Sequence, residues 1–330
     1  MWVRTVIIAA VISTASTLLA PPSAQAQSWK PDKVIEIITS SAAGGSNDQI
    51  ARVAQNILQG NKLVPTPLNI ANKPGGNQTL AVVYLMQHPA DAHFHLLANP
   101  TLFTNYVSGV TALSHNDLTP IALLLEEHTV VSVPANSPIK SMQDLMARLR
   151  ADPESVAVGI VSRGGPNHLA LSQAIKAGGA DPRRVRAAVF KTNTESMTAM
   201  AGGHLQLVAS SVSSAMAQVQ AGNARILAIA SQRRLGGALA NVPTFKEQGI
   251  DSWVANWRAV FGAKGITPAQ VAYWEETLAK MAATDEWKKQ LELHNWSGQF
   301  LRSREFNKYL QAEFATTRAI MADLGLDKTK

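Results

Sequence analysis

The sequence predicts an α/β chain folded as two lobes, each a mainly parallel sheet covered by helices. Three observations carry this. Short apolar, β-branched runs alternate with segments of helical periodicity. Two of these runs, one in each half of the chain, end in a Gly-Gly loop that leads into a helix. The length of 330 residues suits about two domains.

The elements follow in order. Val34 to Thr39 reads as a buried strand, and Asp48 to Gln59 as a helix with Ile50, Val53, Ala54, Ile57 and Leu58 on one face and Gly60 at its stop. Pro65 to Ile70 is extended, Lys73 to Asn77 is a turn, and a helix runs on to about Met86. Phe94 to Ala98 is a strand. Ile121 to Val133 is strand material around an acidic break at Glu126-Glu127. Ser141-x-x-Asp144 resembles a capping box and opens a helix through Leu149. Val156 to Val161 is a strand, Leu169 to Ala177 a helix, and Leu205 to Ala209 and Ile226 to Ala230 further strands. Thr267-Pro268 with Gln270 is an N-cap, N1-proline and N3 arrangement, and the chain from there to Leu326 reads as mostly helical.

Residues 1–26 read as a signal peptide. Arg4 is a positive start, Thr5 to Ala20 an apolar stretch, and Ala24-Gln25-Ala26 a cleavage site after Ala26. The stretch is shorter than the ~20 residues a membrane span needs. The protein is therefore expected to be exported. Lys+Arg exceed Asp+Glu by 30 − 23 = +7. Export, and the scatter of these bases without interleaved aromatics, argue against nucleic acid as a partner. There is no cysteine, which excludes thiolate catalysis, disulfides and Cys-ligated metal. His93-x-His95 alone is a weak metal signal and reads better as a partly exposed strand face; no metal and no cofactor is expected. Trp253 and Trp257 read as core or interlobe packing rather than ligand stacking.

The chemistry concentrates in two matching loops, Ser41-Ala-Ala-Gly-Gly-Ser-Asn-Asp48 and Ser162-Arg-Gly-Gly-Pro-Asn-His168. Each joins a strand to a helix. Their glycines let the backbone approach a ligand, and the first-turn N–H groups with the helix dipole favour an anion. Facing one another across a cleft, they would clasp a carboxylate. Ser46 and Asn167 are positioned to cap the helices or donate to the ligand. Arg163 is a candidate partner for a second carboxylate. His168 stands open between ligand donor and packing residue. Neither loop matches a P-loop, a dinucleotide fingerprint or a nucleophile elbow.

The chain resembles the substrate-binding proteins of tripartite tricarboxylate transporters, the TctC or Bug family. The resemblance rests on an ordered set: Trp29-Lys-Pro-Asp-Lys33, Ala43-Gly-Gly-Ser-Asn-Asp48, Asn72-Lys-Pro-Gly-Gly-Asn77, Leu118-Thr-Pro-Ile121, Ser137-Pro-Ile-Lys-Ser-Met-Gln-Asp-Leu145 and Asn241-Val-Pro-Thr-Phe-Lys-Glu-Gln-Gly249. Ser40-Ser-Ala-Ala-Gly-Gly45, where the family usually has P-F-x-A-G-G, and Asp91-Ala-His-Phe-His-Leu-Leu97, where it has D-G-Y-T-L-L, depart from the pattern. The resemblance implies a type II periplasmic-binding-protein fold: lobe I from 27–129, lobe II from 130–254, and a return to lobe I over 255–330. It implies no enzymatic activity, no cofactor, and a monomer. It nominates Gly44, Gly45, Ser46 and Asp48 in lobe I and Ser162, Gly164, Gly165, Asn167 and His168 in lobe II as ligand-binding. Ser210 and Ser211 match a loop that closes over the ligand, and Asn99 and Thr101 follow a strand end. The turn Asn72 to Thr79 is similar to the tricarboxylate-binding branch, which with Arg163 favours citrate. The expected role is delivery of a small carboxylate to a membrane transporter of one large and one small subunit. An extracytoplasmic sensor that presents the ligand to a membrane kinase would need the same clamp. A secreted α/β hydrolase would need a nucleophile–base pair that the sequence does not offer.

Overall fold

The computed structural model describes residues 29–329. The expected signal peptide lies outside them. The elements in chain order are β1 (Ile35–Thr39), α1 (Ser46–Gly60), β2 (Leu68–Asn72), α2 (Thr79–Met86), β3 (Phe94–Ala98), α3 (Thr101–Val107), β4 (Thr119–Glu126), β5 (Thr129–Pro134), α4 (Met142–Ala151), β6 (Ala157–Ile160), α5 (Pro166–Ala177), β7 (Arg186–Val189), α6 (Asn193–Ala201), β8 (Leu207–Ser211), α7 (Val212–Gln220), β9 (Ala224–Ala230), β10 (Trp257–Gly262), α8 (Pro268–Ala283), α9 (Asp285–His294), β11 (Ser297–Arg302) and α10 (Ser303–Asp323). Among the described residues no helix is long and apolar enough to cross a membrane.

Two sheets form two lobes. The first has the strand order β11-β4-β10-β3-β1-β2, the second β7-β6-β8-β5-β9. The chain leaves the first sheet after Glu126 and enters the second at Thr129. It returns between Ala230 and Trp257.

Neither sheet is mainly parallel, which corrects the expectation from the sequence. The pairs β1–β2, β1–β3, β6–β7 and β6–β8 are parallel. The pairs β10–β3, β10–β4, β11–β4, β5–β8 and β5–β9 are antiparallel. Strands joined within a lobe by a helical crossover come out parallel. A strand arriving from the other lobe has no such crossover, and β5 and β10 each insert against the direction of their neighbours.

The first sheet is buried on both faces, and the pleat divides its strands between two cores. Ile35, Ile37, Leu97, Leu124 and Val260 point toward α1 and α8. Ile38, Leu96, Leu123, Trp257 and Phe261 point the other way, toward α2 and α10. That is why these strands read as unbroken apolar runs rather than alternating ones. In α1 the predicted face is buried at Ile50, Ala54, Ile57 and Leu58, with Val53 half-buried. The helix runs through Gly60 and is capped one residue later, at Asn61. Thr267 and Gln270 form a reciprocal capping box at α8.

Other expectations change. His93 and His95 are both buried rather than on a partly exposed face. The His93 ring sits between Asp91, 2.6 Å away, and Asp32, 3.1 Å away. His95 packs edge-on against Trp274. The C-terminal segment read as lobe I touches both lobes. Phe306 and Leu310 of α10 lie in the first lobe's core, whereas Ile320, Met321 and Leu324 join the second lobe's core beside Ile175 of α5.

Candidate functional site

The two Gly-Gly loops adopt one backbone design. Gly44 and Gly164 take φ of +80° and +76°, the left-handed region that favours glycine. Gly45 and Gly165 follow at φ −76°, ψ 167° and φ −72°, ψ 165°, and each is the N-cap residue of its helix, α1 or α5. The N–H of Gly45 donates to Ala42 O at 3.0 Å, and that of Gly165 to Ser162 O at 3.2 Å. The side chain four residues on then accepts from the first glycine. Gly44 N–H donates to Asp48 Oδ2 at 2.8 Å, and Gly164 N–H to His168 Nδ1 at 3.0 Å. Asp48 and His168 therefore hold equivalent places, and both act on the loop itself.

Neither helix start carries a side-chain cap at its N-cap residue, because that residue is glycine. Ser46 and Asn167, expected as caps, do other work. Ser46 Oγ donates to Glu127 Oε2 at 2.8 Å and accepts from Arg258 at 3.3 Å. Asn167 Oδ1 accepts from Thr129 Oγ1 at 2.7 Å, and its Nδ2 donates to Asn193 Oδ1 at 3.2 Å. The helix N-termini stay open toward the space between the lobes, the arrangement that attracts anions.

That space is a cleft of about 510 Å³ lined by both lobes. Nine of the nominated residues line it: Gly44, Gly45, Ser46, Asn99, Thr101, Ser162, Gly165, Asn167 and His168. Five do not. Asp48 is buried and accepts from Gly44, Arg52 and Asn72 instead. Burial raises its pKa, but these hydrogen bonds outweigh burial and hold the carboxyl below its usual range. Gly164 is the turn behind the lining. Ser210 is buried within β8, and its hydroxyl donates to Ser211 O. Ser211 Oγ accepts from Asn193 Nδ2 at 3.4 Å, and Ser213 and Ser214 one turn on line the cleft in its place. Arg163 points away from the cleft, and its guanidinium donates to Ala187 O at 3.2 Å.

Glu127, Asn256, Arg258 and Lys191 line the cleft and were not singled out in the sequence. Glu127 and Arg258 are an ion pair whose side chains are 2% and 5% exposed, so almost no solvent reaches them. Arg258 Nη1 also donates to Asn256 Oδ1 at 2.6 Å and to Trp257 O at 3.0 Å. Burial pulls the Arg258 pKa down, and Glu127 opposes this. The pair joins both chain crossings: Glu127 N–H donates to Asn256 O at 3.0 Å. Through Ser46 it also grips the start of α1. A signal was available, since Arg258 stands alone within an apolar run and Glu127 borders one, where an unpaired ion is costly.

His168 gives the cleft a pH dependence. Burial, with the Arg163 charge behind it, pushes the imidazole down to about 4. It is neutral above that, and with Nδ1 accepting from Gly164 its proton sits on Nε2. The unfolded chain takes up that proton near pH 6.5, the folded chain only near 4. Its stability contribution is thus whole above 6.5 and lost as pH falls to about 4, up to about 3 kcal/mol. His168→Asn keeps an acceptor for Gly164 but cannot titrate. Urea midpoints measured from pH 7 to 4 are expected to fall less steeply for the variant than for the wild type. His95, pushed to about 3 by burial, contributes alike to both, so equal slopes would remove His168 from the account.

Comparison with known proteins fits this geometry. The family model described as the tripartite tricarboxylate transporter family receptor, TctC, matches residues 50–326. The chain belongs to the TctC family. A Cupriavidus necator relative, the UPF0065 protein in gbd 5'region, is 28% identical over 321 residues, 96% of each chain. Among solved structures, an R. palustris protein solved with adipate superposes with a TM-score of 0.81 at 22% identity, covering 89% of this chain and 98% of that one. MatC from Rhodopseudomonas palustris, solved with bound malate, gives 0.77 at 18%, covering 88% and 99%. The TctC chain described here thus has the two-lobed type II periplasmic-binding-protein fold and belongs to a family of solute-binding receptors.

Proposed function

We propose that the protein is a periplasmic receptor that captures a small carboxylate between its lobes and delivers it to a transporter of one large and one small membrane subunit. The observation that carries this is the pair of equivalent loops, which turn two helix N-termini with glycine at the N-cap into one cleft. The ligand is a di- or tricarboxylate, with a four- to six-carbon dicarboxylate favoured over citrate. Three points support that choice. Arg163, the candidate partner for a second carboxylate and, with the turn Asn72 to Thr79, the ground for citrate, donates to a backbone oxygen outside the cleft. Inside, the Arg258 charge is compensated by Glu127, which leaves Lys191 and the helix dipoles for the anion. The malate and adipate of the two solved neighbours are dicarboxylates of that size. Of the nominated residues outside the cleft wall, Asp48 and Gly164 serve by shaping the loops.

A thermal-shift panel on the mature chain tests this. A ligand at ~100 times its dissociation constant adds about 2.7 kcal/mol of stability. Malate, succinate or adipate is expected to raise the midpoint more than citrate does, and Arg163→Ala is expected to leave these shifts unchanged. A response to sugars or cations with none to carboxylates would end the anion-clamp reading. Loss of uptake of the same ligand in a deletion strain separates a transport receptor from a sensor.

A further inference from the structure

A second cavity lies in lobe II, apart from the cleft. It is about 170 Å³ and sits between β6, β7 and α5. Ile160, Leu171, Ile175 and Val185 form its apolar walls, and Leu326, beyond the end of α10, closes it. An engineered apolar cavity of about 150 Å³ accepts benzene, so this one has room for a six-carbon ring or a chain of similar size.

The lining is apolar, but two guanidiniums belong to it, Arg163 and Arg183. They are not equivalent. Arg183 is forked onto Asp181 by two bonds of 3.0 Å, so its charge is matched. Arg163 donates only to the neutral Ala187 carbonyl, and among the described residues no carboxylate pairs with it. An apolar chamber with one uncompensated guanidinium in its wall fits an amphiphilic anion: a compact hydrocarbon body bearing a single carboxylate.

We propose that this cavity is a second ligand site, distinct from the cleft, for a small monocarboxylate with a ring-sized apolar body. One residue connects the two sites. His168 lines both, and its Nδ1 accepts from Gly164 in the loop that shapes the cleft. A body packed against the imidazole braces the acceptor that holds the cleft loop. The carboxylate at Arg163 also offsets the positive charge that helps depress the His168 pKa. Occupancy is therefore read out at the cleft as a changed affinity, and by reciprocity the cleft ligand changes affinity at the cavity.

Benzoate is the probe, titrated into the mature chain with methyl-labelled Ile, Leu and Val followed by NMR. The expected result is saturable shifts at Ile160, Leu171 and Leu326 that persist in Gly45→Val, whose cleft loop is disrupted. Arg163→Glu, a change at an exposed side chain, is expected to weaken benzoate at least tenfold, and Ile175→Phe to abolish it by filling the chamber. Benzyl alcohol, with the ring but no charge, is expected to bind at least tenfold more weakly than benzoate. Shifts confined to cleft residues, no saturable shift at 10 mM, or equal binding by wild type and Arg163→Glu would overturn the proposal. Benzyl alcohol binding as tightly as benzoate would overturn the carboxylate assignment. Should Ile175→Phe fail to fold, Arg163→Glu and the location of the methyl shifts still decide.

Discussion

Arg258→Leu is expected to destabilise the fold by about 3–5 kcal/mol, because it strands the Glu127 carboxylate in a buried site without its counter-ion. The measurement is equilibrium urea unfolding of the two proteins. The double variant Glu127→Leu, Arg258→Leu is expected to recover most of that loss. Replacing both ions with apolar groups removes the desolvation penalty together with the attraction. Recovery is favoured here because the network is not fully satisfied: Glu127 Oε1 and Arg258 Nε are buried and have no hydrogen-bond partner among the described residues. Affinity for the ligand is not expected to recover. Ser46 then loses both of its partners, and nothing holds the first turn of α1 in register with the crossings. A stable double variant that binds normally would show that the pair serves stability alone. A single variant as stable as the wild type would show that it does not serve even that.

Gly45→Val and Gly165→Val are expected to lower ligand affinity at least a hundredfold, about 2.7 kcal/mol, with little change in the thermal midpoint of the free protein. A Cβ at position 45 meets Ser41 Cβ at 2.8 Å and Ala42 O at 3.1 Å. At position 165 it meets Ser162 Oγ at 2.6 Å. The residues that must move are the cleft lining itself, so the damage falls on the site rather than on the core. The neighbouring glycines behave oppositely. Nothing lies within 4 Å of a Cβ at Gly44, but its φ of +80° is one that other residues adopt at a cost of about 1–2 kcal/mol. Gly44→Ala is thus expected to reduce stability more than Gly45→Ala and affinity less. Calorimetric titration against denaturation for the four variants separates a steric effect from a conformational one. Losses of equal size in both measurements at both positions would contradict this division.

The loops were legible in the sequence because their signal is local. A β-branched run, two glycines and a helical period lie within a short stretch of chain, and the same order recurs in the second half. Strand direction was not legible, because pairing is settled by where the chain comes from. A β-branched run such as Thr129 to Pro134 looks the same whether it enters a sheet parallel or antiparallel. The hinge ion pair was missed for a related reason. Glu127 and Arg258 are 131 positions apart, and no periodicity connects them. Arg163 was misplaced because adjacency in sequence does not fix the side on which a side chain leaves a turn. Gly44 and Gly164 set equivalent backbones, yet Asp48 answers one and His168 the other. Loop shape was thus readable from glycine spacing, whereas the group that secures each loop emerged only from the hydrogen bonds.

The placement of α10 has a mechanical consequence. Two bodies joined by neighbouring strands are free to bend about the line through those strands and to twist around it. Here a long helix starts on one body, through Phe306 and Leu310, and ends on the other, through Ile320 and Met321, where Asp323 also meets Lys176 at 3.2 Å. That attachment sits off the line of the strands and works as a strut. Any rotation of the bodies must slide its far end over α5 or flex the rod itself. An attachment of this kind resists twist between the two bodies more than it resists bending of one toward the other.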